Sequence, residues 1–223
     1  MRLLSLVLLL GPAMMQVAAA SPLQAVTELR YLDQDAGDPS YLTRILVTPD
    51  FMRMDDGQDD GDFILLDRKQ RRLINVMRGN NLAMVFTPGK VPAEPEFWKP
   101  ELTSHPAAKG TRRFRLVLNG MTCLEGVAAE RAAPDAAQAM AEMKAVLAFT
   151  QYRMWRNSPA EMQHDCDLAN QVWAFESVFQ LGLPLEERDF RGRTRQFESE
   201  ISIPLNPALF LVPKGMSLVD APS

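Results

Sequence analysis

Residues 43–76 read TRILVTPDFMRMDDGQDDGDFILLDRKQRRLINV and carry the pattern from which the fold can be predicted. Short runs of aliphatic and aromatic residues alternate there with turn-forming clusters at residues 55–61 and 67–70. Short strands at this spacing are typical of an antiparallel meander. The pattern extends in both directions and predicts six strands in the front half of the chain: Leu23–Leu32, Tyr41–Thr48, Phe51–Met54, Phe63–Leu66, Leu73–Met77 and Leu82–Thr87.

A proline-rich stretch follows the meander. Residues 88–106 contain five prolines, a density that predicts a loop or polyproline segment without a regular element. The adjacent aromatic residues Phe97 and Trp98 are expected to pack this segment down.

A β-hairpin comes next. Residues 112–118 alternate between apolar and mostly basic side chains, and Asn119-Gly120 is a strong signal for a tight type I′ turn. Pairing across that turn sets Leu116 opposite Cys123, which predicts that Cys123 lies on the core face.

The hydrophobic pattern then changes to a helical one. Pro134 to Trp155 is rich in Ala, Met, Gln and Glu, which predicts a helix with Pro134 in its first turn. Ser158-Pro159-Ala160-Glu161 has the form of a capping box and predicts a second helix that ends near Leu181, before Gly182 and Pro184. Strand patterns then return at Arg193–Ile203, Ala208–Val212 and Met216–Val219. This order of elements predicts an α+β domain.

The composition is that of a globular protein. The chain has 223 residues, 47% of them hydrophobic and 23% charged, and a formal net charge of −4. A pI near 5.3 provides no basic field for phosphates, so nucleic-acid binding is not expected.

The N-terminus has the layout of an export signal. Arg2 precedes the apolar run Leu3–Leu10, and Ala18-Ala19-Ala20 offers the small residues that signal peptidase requires. The run is too short to span the ~30 Å hydrocarbon core of a bilayer, which argues against a membrane anchor. The expected result is a cleaved signal at residues 1–20, a single domain at residues 21–223 and a soluble periplasmic protein.

Export to an oxidising compartment favours a disulfide between the two cysteines, Cys123 and Cys166. Cys166 shares a helical face with the apolar residues Met162, Ala169, Val172 and Trp173. Both thiols are therefore expected to point into apolar surroundings, and two unpaired buried cysteines are the alternative.

Three segments resemble uncharacterised exported bacterial proteins with the lipoprotein-carrier (LolA/LolB-like) fold. They are the meander of residues 43–76, with its Met-Arg-Met-Asp strand, the closing residues PALFLVPKGMSLV, and the middle sequences NGMTCLEGVAAE, CDLANQVWAF and LGLPL. The resemblance implies a strongly curved antiparallel sheet, or half-open barrel, that partly encloses two helices. In that fold an apolar hollow holds acyl chains.

The acidic run at residues 55–62 partly matches a calcium-binding loop. Asp56, Gln58, Asp60 and Asp62 occupy ligand positions and Asp67 is twelfth, but Gln and Asp replace two of the usual acids. A solvated hairpin tip is the favoured interpretation.

The remaining reactive residues form no recognised set. His105 and His164 lack zinc-ligand spacing with the cysteines, and a disulfide would consume the Cys166 thiol. The basic cluster at residues 68–72 could contact an anionic membrane, although a solvated turn is the favoured interpretation. No catalytic, metal-binding or cofactor motif is found, so the sequence predicts a protein that is not an enzyme.

The sequence supports two main functional hypotheses. The first is a periplasmic protein that binds or carries a lipid or other apolar or amphipathic ligand, or binds an envelope protein; its ligand-binding residues are unknown. The second is a structural or interaction module whose barrel is filled by its own helices. An uncharacterised enzyme is the least favoured alternative.

Overall fold

The computed structural model describes residues 25–221, and the predicted signal peptide at residues 1–20 lies outside them. The fold is α+β, with one open sheet of twelve strands in which only β6 and β12 pair in parallel. The strands are β1 (Ala25–Gln34), β2 (Tyr41–Val47), β3 (Phe51–Asp55), β4 (Phe63–Asp67), β5 (Arg72–Met77), β6 (Leu82–Phe86), β7 (Pro100–Pro106), β8 (Thr111–Leu118), β9 (Met121–Ala129), β10 (Leu183–Asp189), β11 (Thr194–Pro204) and β12 (Ser217–Asp220). The α-helices are α1 (Pro134–Asn157), α2 (Asp165–Leu168) and α3 (Phe175–Phe179). The six strands predicted for the front half, the predicted hairpin, the first helix, and the strands near residues 193–203 and 216–219 are all confirmed.

Strand β1 joins two halves of the sheet. The spatial order is β12-β6-β5-β4-β3-β2-β1-β11-β10-β9-β8-β7. Leu29 at the middle of β1 pairs with Ile45 of β2 on one side and with Glu200 of β11 on the other. The meander therefore lies on one side of β1, and the strands β7–β11 lie on the other.

Helix α1 covers one face of the sheet, which we call the inner face; the opposite one is the outer face. Pro134 occupies the start of α1, where its missing N–H removes no helical hydrogen bond. The helix buries small and flexible side chains such as Ala139 and Met140 against apolar residues of β1–β5. A second cluster joins α2, α3 and the segment between them to β8 and β9.

The outer face of the meander is also covered. Leu209 and Phe210 pack there against strands β3–β6. They belong to a 3₁₀ turn, Pro207–Phe210, so the predicted extended piece at residues 208–212 is wrong. The reason is local, because the Asn206 side chain accepts a hydrogen bond from the Ala208 N–H and caps the turn.

The predicted second helix is also wrong, because this segment is broken into short pieces. A 3₁₀ turn (Ala160–Met162), α2, a π-helical turn (Ala169–Trp173) and α3 follow one another. Ser158 ends α1 instead of starting a new helix, since its hydroxyl donates to the Met154 carbonyl oxygen at 2.8 Å. The hydroxyl therefore does not cap the downstream N–H groups that a capping box would satisfy.

Two strands, β7 and β10, contain proline residues, contrary to the expectation that the proline-rich stretch has no regular element. The proline-rich stretch contains β7, an edge strand with Pro100 and Pro106 at its ends, where a missing N–H is tolerated. Pro184 lies in β10 next to a shift in register, which is the other position that accepts proline. Trp98 is buried as expected, whereas Phe97 is exposed.

The hairpin has a different register from the predicted one. Leu118 pairs with Met121, but Leu116 pairs with Leu124 because a bulge separates Leu116 from Val117. Cys123 is nevertheless fully buried, since the bulge directs both Cys123 and Leu124 toward the core.

Within residues 25–221, no helix has the length and apolar character needed to cross a bilayer.

Candidate functional site

A cavity of about 840 Å³ lies on the outer face of strands β7–β11. Strand register explains which side chains meet there. One row crosses all five strands through the successive pairs Thr103–Arg115, Arg115–Glu125, Glu125–Arg188 and Arg188–Thr194. We call this cavity the polar groove.

A second row runs beside the first. On each strand, its residue is two positions away from that of the first row. Its pairs are His105–Arg113, Arg113–Val127, Val127–Glu186 and Glu186–Gln196. Four of its five residues are polar, and both rows line the groove on the face that α1 does not cover.

Gly126 allows the strands to approach closely at the floor of the groove. A Cβ atom at this position would collide with the backbone carbonyl of Glu186 and contact the ring of Phe114. A strand glycine often marks such a close backbone approach. The floor therefore depends on a residue without a side chain.

The charges of the groove are only partly paired. Arg115 and Glu125 form a salt bridge across β8 and β9 at 3.2 Å, and both side chains are about half exposed. The guanidinium groups of Arg113 and Arg188 have no hydrogen-bond or salt-bridge partner within residues 25–221. Planar guanidinium groups match carboxylates in geometry, so the arrangement can bind an anion.

The disulfide is formed between the two predicted residues. Cys123 of β9 and Cys166 of α2 are bonded, with their Cα atoms 4.9 Å apart, and both are buried. Ala169 and Val172 are buried near Cys166 as predicted, but Met162 is 60% exposed because the predicted helix is broken between Met162 and Cys166. Trp173 is half-buried and packs edge-on against Trp98 at 4.9 Å between ring centroids.

The acidic run does not converge on one point. Asp55 turns into the protein, where Arg44 donates two hydrogen bonds to it and Arg53 a third. Burial opposes ionisation of Asp55, but the hydrogen bonds from both arginines outweigh it and lower the pKa of the carboxyl group. Arg53 is itself buried, with its guanidinium 4.0 Å from the ring centroid of Phe63.

The other acidic side chains of this region act locally. Asp56 accepts a hydrogen bond from the Gln58 N–H, Asp62 from the Arg78 N–H, and Asp67 from the Gln70 N–H. Asp and Asn side chains commonly stabilise turns in this way. Across residues 25–221 no group of three or more His, Cys, Asp or Glu side chains is placed to hold a metal ion.

The basic cluster at residues 68–72 is not uniformly solvated. The Arg68 side chain is 8% exposed and pairs with Glu142 and Asp135 of α1. It thereby fastens the β4–β5 turn to the helix. Lys69 stays exposed and pairs with Asp50.

The two histidines belong to different parts of the fold. His105 belongs to the polar groove, whereas the backbone oxygen of His164 accepts a hydrogen bond from Trp155 Nε1 at 3.0 Å. Both cysteines are in the disulfide, so neither provides a thiolate for a zinc site or a nucleophile.

Sequence reasoning did not identify the residues of the polar groove other than His105. The alternation of residues 112–118 placed Arg113 and Arg115 on one strand face, but no strand was predicted over Leu183–Asp189, which carries Glu186 and Arg188. The patterns could not show that these strands share a sheet neighbour, because β9 and β10 are separated by the whole helical region.

Comparisons with known proteins give little similarity. No family model matches the sequence, and no curated protein is similar to it. Two solved structures of PNGF-II, in space groups P21 and C2, are distantly similar. The first has a TM-score of 0.47 and 13% identity over 89% of this chain, and the second has 0.42 and 10% over 88%. This chain spans about a third of the length of PNGF-II, 32% and 31% in the two structures. The resemblance to lipoprotein carriers stays a prediction.

Proposed function

We propose that this chain is a non-enzymatic binding module of the bacterial cell envelope, exported to the periplasm, which recognises an acidic segment of an envelope protein through the polar groove. The observation that carries the proposal is a pair of guanidinium groups, Arg113 and Arg188, that have no partner in the described part of the chain and line a cavity of about 840 Å³. A carboxylate on the partner would supply what each of them lacks.

The position of β7 supports an extended partner. This strand is an edge of the sheet and borders the groove through Thr103 and His105. Edge strands present unpaired backbone groups, to which an extended peptide can add. An acidic peptide lying along β7 would bring its carboxylates over Arg113.

The filled interior favours recognition on the surface. The inner face of the meander is occupied by α1, whose Ala136, Ala139 and Met140 are each no more than 1% exposed. In this proposal the sheet is a half-open barrel that the protein's own helices fill, as the second sequence hypothesis requires.

A second candidate is the binding of an apolar ligand, as the lipoprotein-carrier resemblance implies. A cavity of about 540 Å³ lies along α1 and is lined in part by Ala137, Ala141, Ala145 and Phe179. This volume is within the range of about 300–1,000 Å³ that is common for small-molecule sites.

A titration followed by two-dimensional NMR of ¹⁵N-labelled protein separates the two candidates. We expect an octaglutamate peptide to shift amide signals of β7–β11, and an octaserine peptide to shift none. Arg113→Ala and Arg188→Ala should each weaken binding about three- to fivefold, as expected for an exposed ion pair of up to about 1 kcal/mol. Arg156→Ala, an exposed arginine on α1, is the matched control and should leave binding unchanged.

Laurate is the probe for the apolar alternative. Stoichiometric laurate binding with shifts along α1, combined with no response to octaglutamate, would refute the groove proposal and favour the carrier. Octaglutamate binding that is equally weakened by Arg156→Ala would also contradict it, because the attraction would then be a general property of surface charge.

A further inference from the structure

A further cavity, of about 250 Å³, lies on the inner face between α1, the π-helical turn and strands β1, β10 and β11. We call it the inner cleft. It reaches the surface where the exposed residues Tyr41 and Arg193 line it. Its volume is below the range of about 300–1,000 Å³ of drug-sized pockets, so any ligand it holds is small.

Asn170 projects into the inner cleft from the π-helical turn and is 6% exposed. Its Nδ2 donates to the Cys123 carbonyl oxygen at 2.8 Å, which fixes the orientation of the amide. Its Oδ1 is buried and has no hydrogen-bond partner among the described residues. An unsatisfied buried acceptor is costly, and π-helical turns occur frequently at functional sites.

Lys144 enters the same cleft from α1. Its Nζ donates to the backbone oxygen of Asn170 at 3.1 Å, and it makes no salt bridge within residues 25–221. Burial lowers the pKa of the Lys144 ammonium group. The cleft therefore holds a partly buried cation that forms no salt bridge in the described part of the chain.

Glu187 supplies the opposite charge. It points to the inner face of β10, where it lies between Gly126 and Arg195 in the neighbouring strands. Glu187 lines the cleft, and its carboxylate has no hydrogen-bond or salt-bridge partner in the described part of the chain.

The other acidic residues of the cleft, Asp33, Asp35 and Asp189, each have a partner. Asp35 accepts a hydrogen bond from the Tyr41 hydroxyl at 3.3 Å. Asp33 accepts two hydrogen bonds from Arg195, at 2.8 and 2.7 Å, and Asp189 pairs with Arg193 at 2.6 Å. Within residues 25–221, Lys144 has no salt bridge, and the Glu187 carboxylate and Asn170 Oδ1 accept no hydrogen bond. A ligand complementary to them carries an anionic group and a cationic donor a short distance apart.

We propose that the inner cleft binds a small zwitterion of the free α-amino acid class, with its carboxylate on Lys144 and its ammonium group on Glu187 and Asn170 Oδ1. Lys144 and Asn170 lie on the opposite face of the sheet from the polar groove, although Glu187 and Arg195 border both cavities. The proposal does not depend on the function proposed for that groove.

The test is NMR titration of the full chain with glycine, L-alanine and L-serine. We expect at least one of them to shift the amide signals of Lys144, Asn170 and Glu187. Acetate and ethylamine, which each carry only one of the two charges, should bind at least about tenfold more weakly than that amino acid. Lys144→Met and Glu187→Gln should each weaken its binding by about tenfold or more.

Two exposed residues provide matched controls, Lys90→Met and Glu161→Gln, and both should leave amino-acid binding unchanged. The proposal is overturned if none of the three amino acids shifts these signals at about 10 mM, well above a millimolar Kd. In that case water alone occupies the cleft. It is also overturned if acetate or ethylamine binds as tightly as the amino acid. That comparison uses only the wild-type protein, so it tests the proposal even if a variant fails to fold.

Discussion

Removal of the Cys123–Cys166 disulfide should destabilise the protein substantially without unfolding its secondary structure. The bond joins residues 43 apart in sequence and ties α2 to β9. In the chain-entropy model, a loop of this length restricts the unfolded state enough to stabilise the fold by roughly 4 kcal/mol. For a domain of about 200 residues, that loss lowers the melting temperature by about 8–16 °C.

The helical segment should remain attached after the bond is broken. Asn170 still donates to the Cys123 carbonyl oxygen, and the Phe190 N–H donates to the same oxygen at 3.2 Å. Cys166 also lies within an apolar cluster that includes Leu168 and Val172. We therefore expect far-UV circular dichroism to change little while the unfolding transition moves to lower temperature.

The assay compares oxidised and reduced wild-type protein in thermal and urea unfolding, together with two double variants. Cys123→Ala with Cys166→Ala should match the reduced protein. Cys123→Ser with Cys166→Ser should be less stable still, since both positions are buried and each hydroxyl needs a partner. Equal stability of the oxidised and reduced proteins, within about 1 kcal/mol, would refute the reasoning.

Three other outcomes are expected. Asp55→Asn should cost about 3 kcal/mol at neutral pH, because it breaks a buried ion network. The folded pKa of Asp55 is lowered, so its stabilisation is present above the unfolded pKa and is lost as the pH falls through the folded value. The variant should therefore approach wild type in urea unfolding below about pH 4, and a constant difference at all pH values would contradict this. Gly126→Ala should lower the free energy of unfolding by about 2 kcal/mol, because the added methyl group overpacks the sheet. Gly79→Ala is the control, because a Cβ there meets nothing within 4 Å, and its free energy of unfolding should stay within about 0.5 kcal/mol of wild type. Millimolar calcium should leave the melting temperature unchanged, and a rise of several degrees that Asp60→Ala abolishes would show that residues 55–62 do bind the ion.

The sequence was most informative where the determinants are local. The meander follows from alternation and turn residues, α1 from composition and Pro134, and the disulfide from two buried apolar environments. Where contacts with residues distant in sequence determine the secondary structure, local sequence patterns were insufficient to predict it. Pro100–Pro106 forms a strand because β8 lies beside it, and Ser158 ends a helix, where its hydroxyl donates to the Met154 carbonyl oxygen.

The polar groove and the inner cleft could not be predicted for a similar reason. Arg115 and Arg188 are 73 positions apart and meet only because each is paired to Glu125 of β9. The partnerless Oδ1 of Asn170 depends on a π-helical turn, for which the sequence gives no periodic signal. For the polar groove, the missing information is the register between strands that are distant in sequence. For the inner cleft, it is the extra residue in the π-helical turn, which changes the direction of the Asn170 side chain.

The pairing of β1 with β11 has a consequence for the order of folding. Of the described strands, β1 is the first to leave the ribosome, whereas its partner in the other half of the sheet follows more than 150 residues later. Contacts so distant in sequence form slowly, since a long loop must close before they form. Until then the β1–β6 meander can assemble with one edge of β1 unpaired, and such an edge is prone to pair with other chains. A chain caught at this stage would expose β1 as an aggregation site, and the arrival of β11 would remove that exposure.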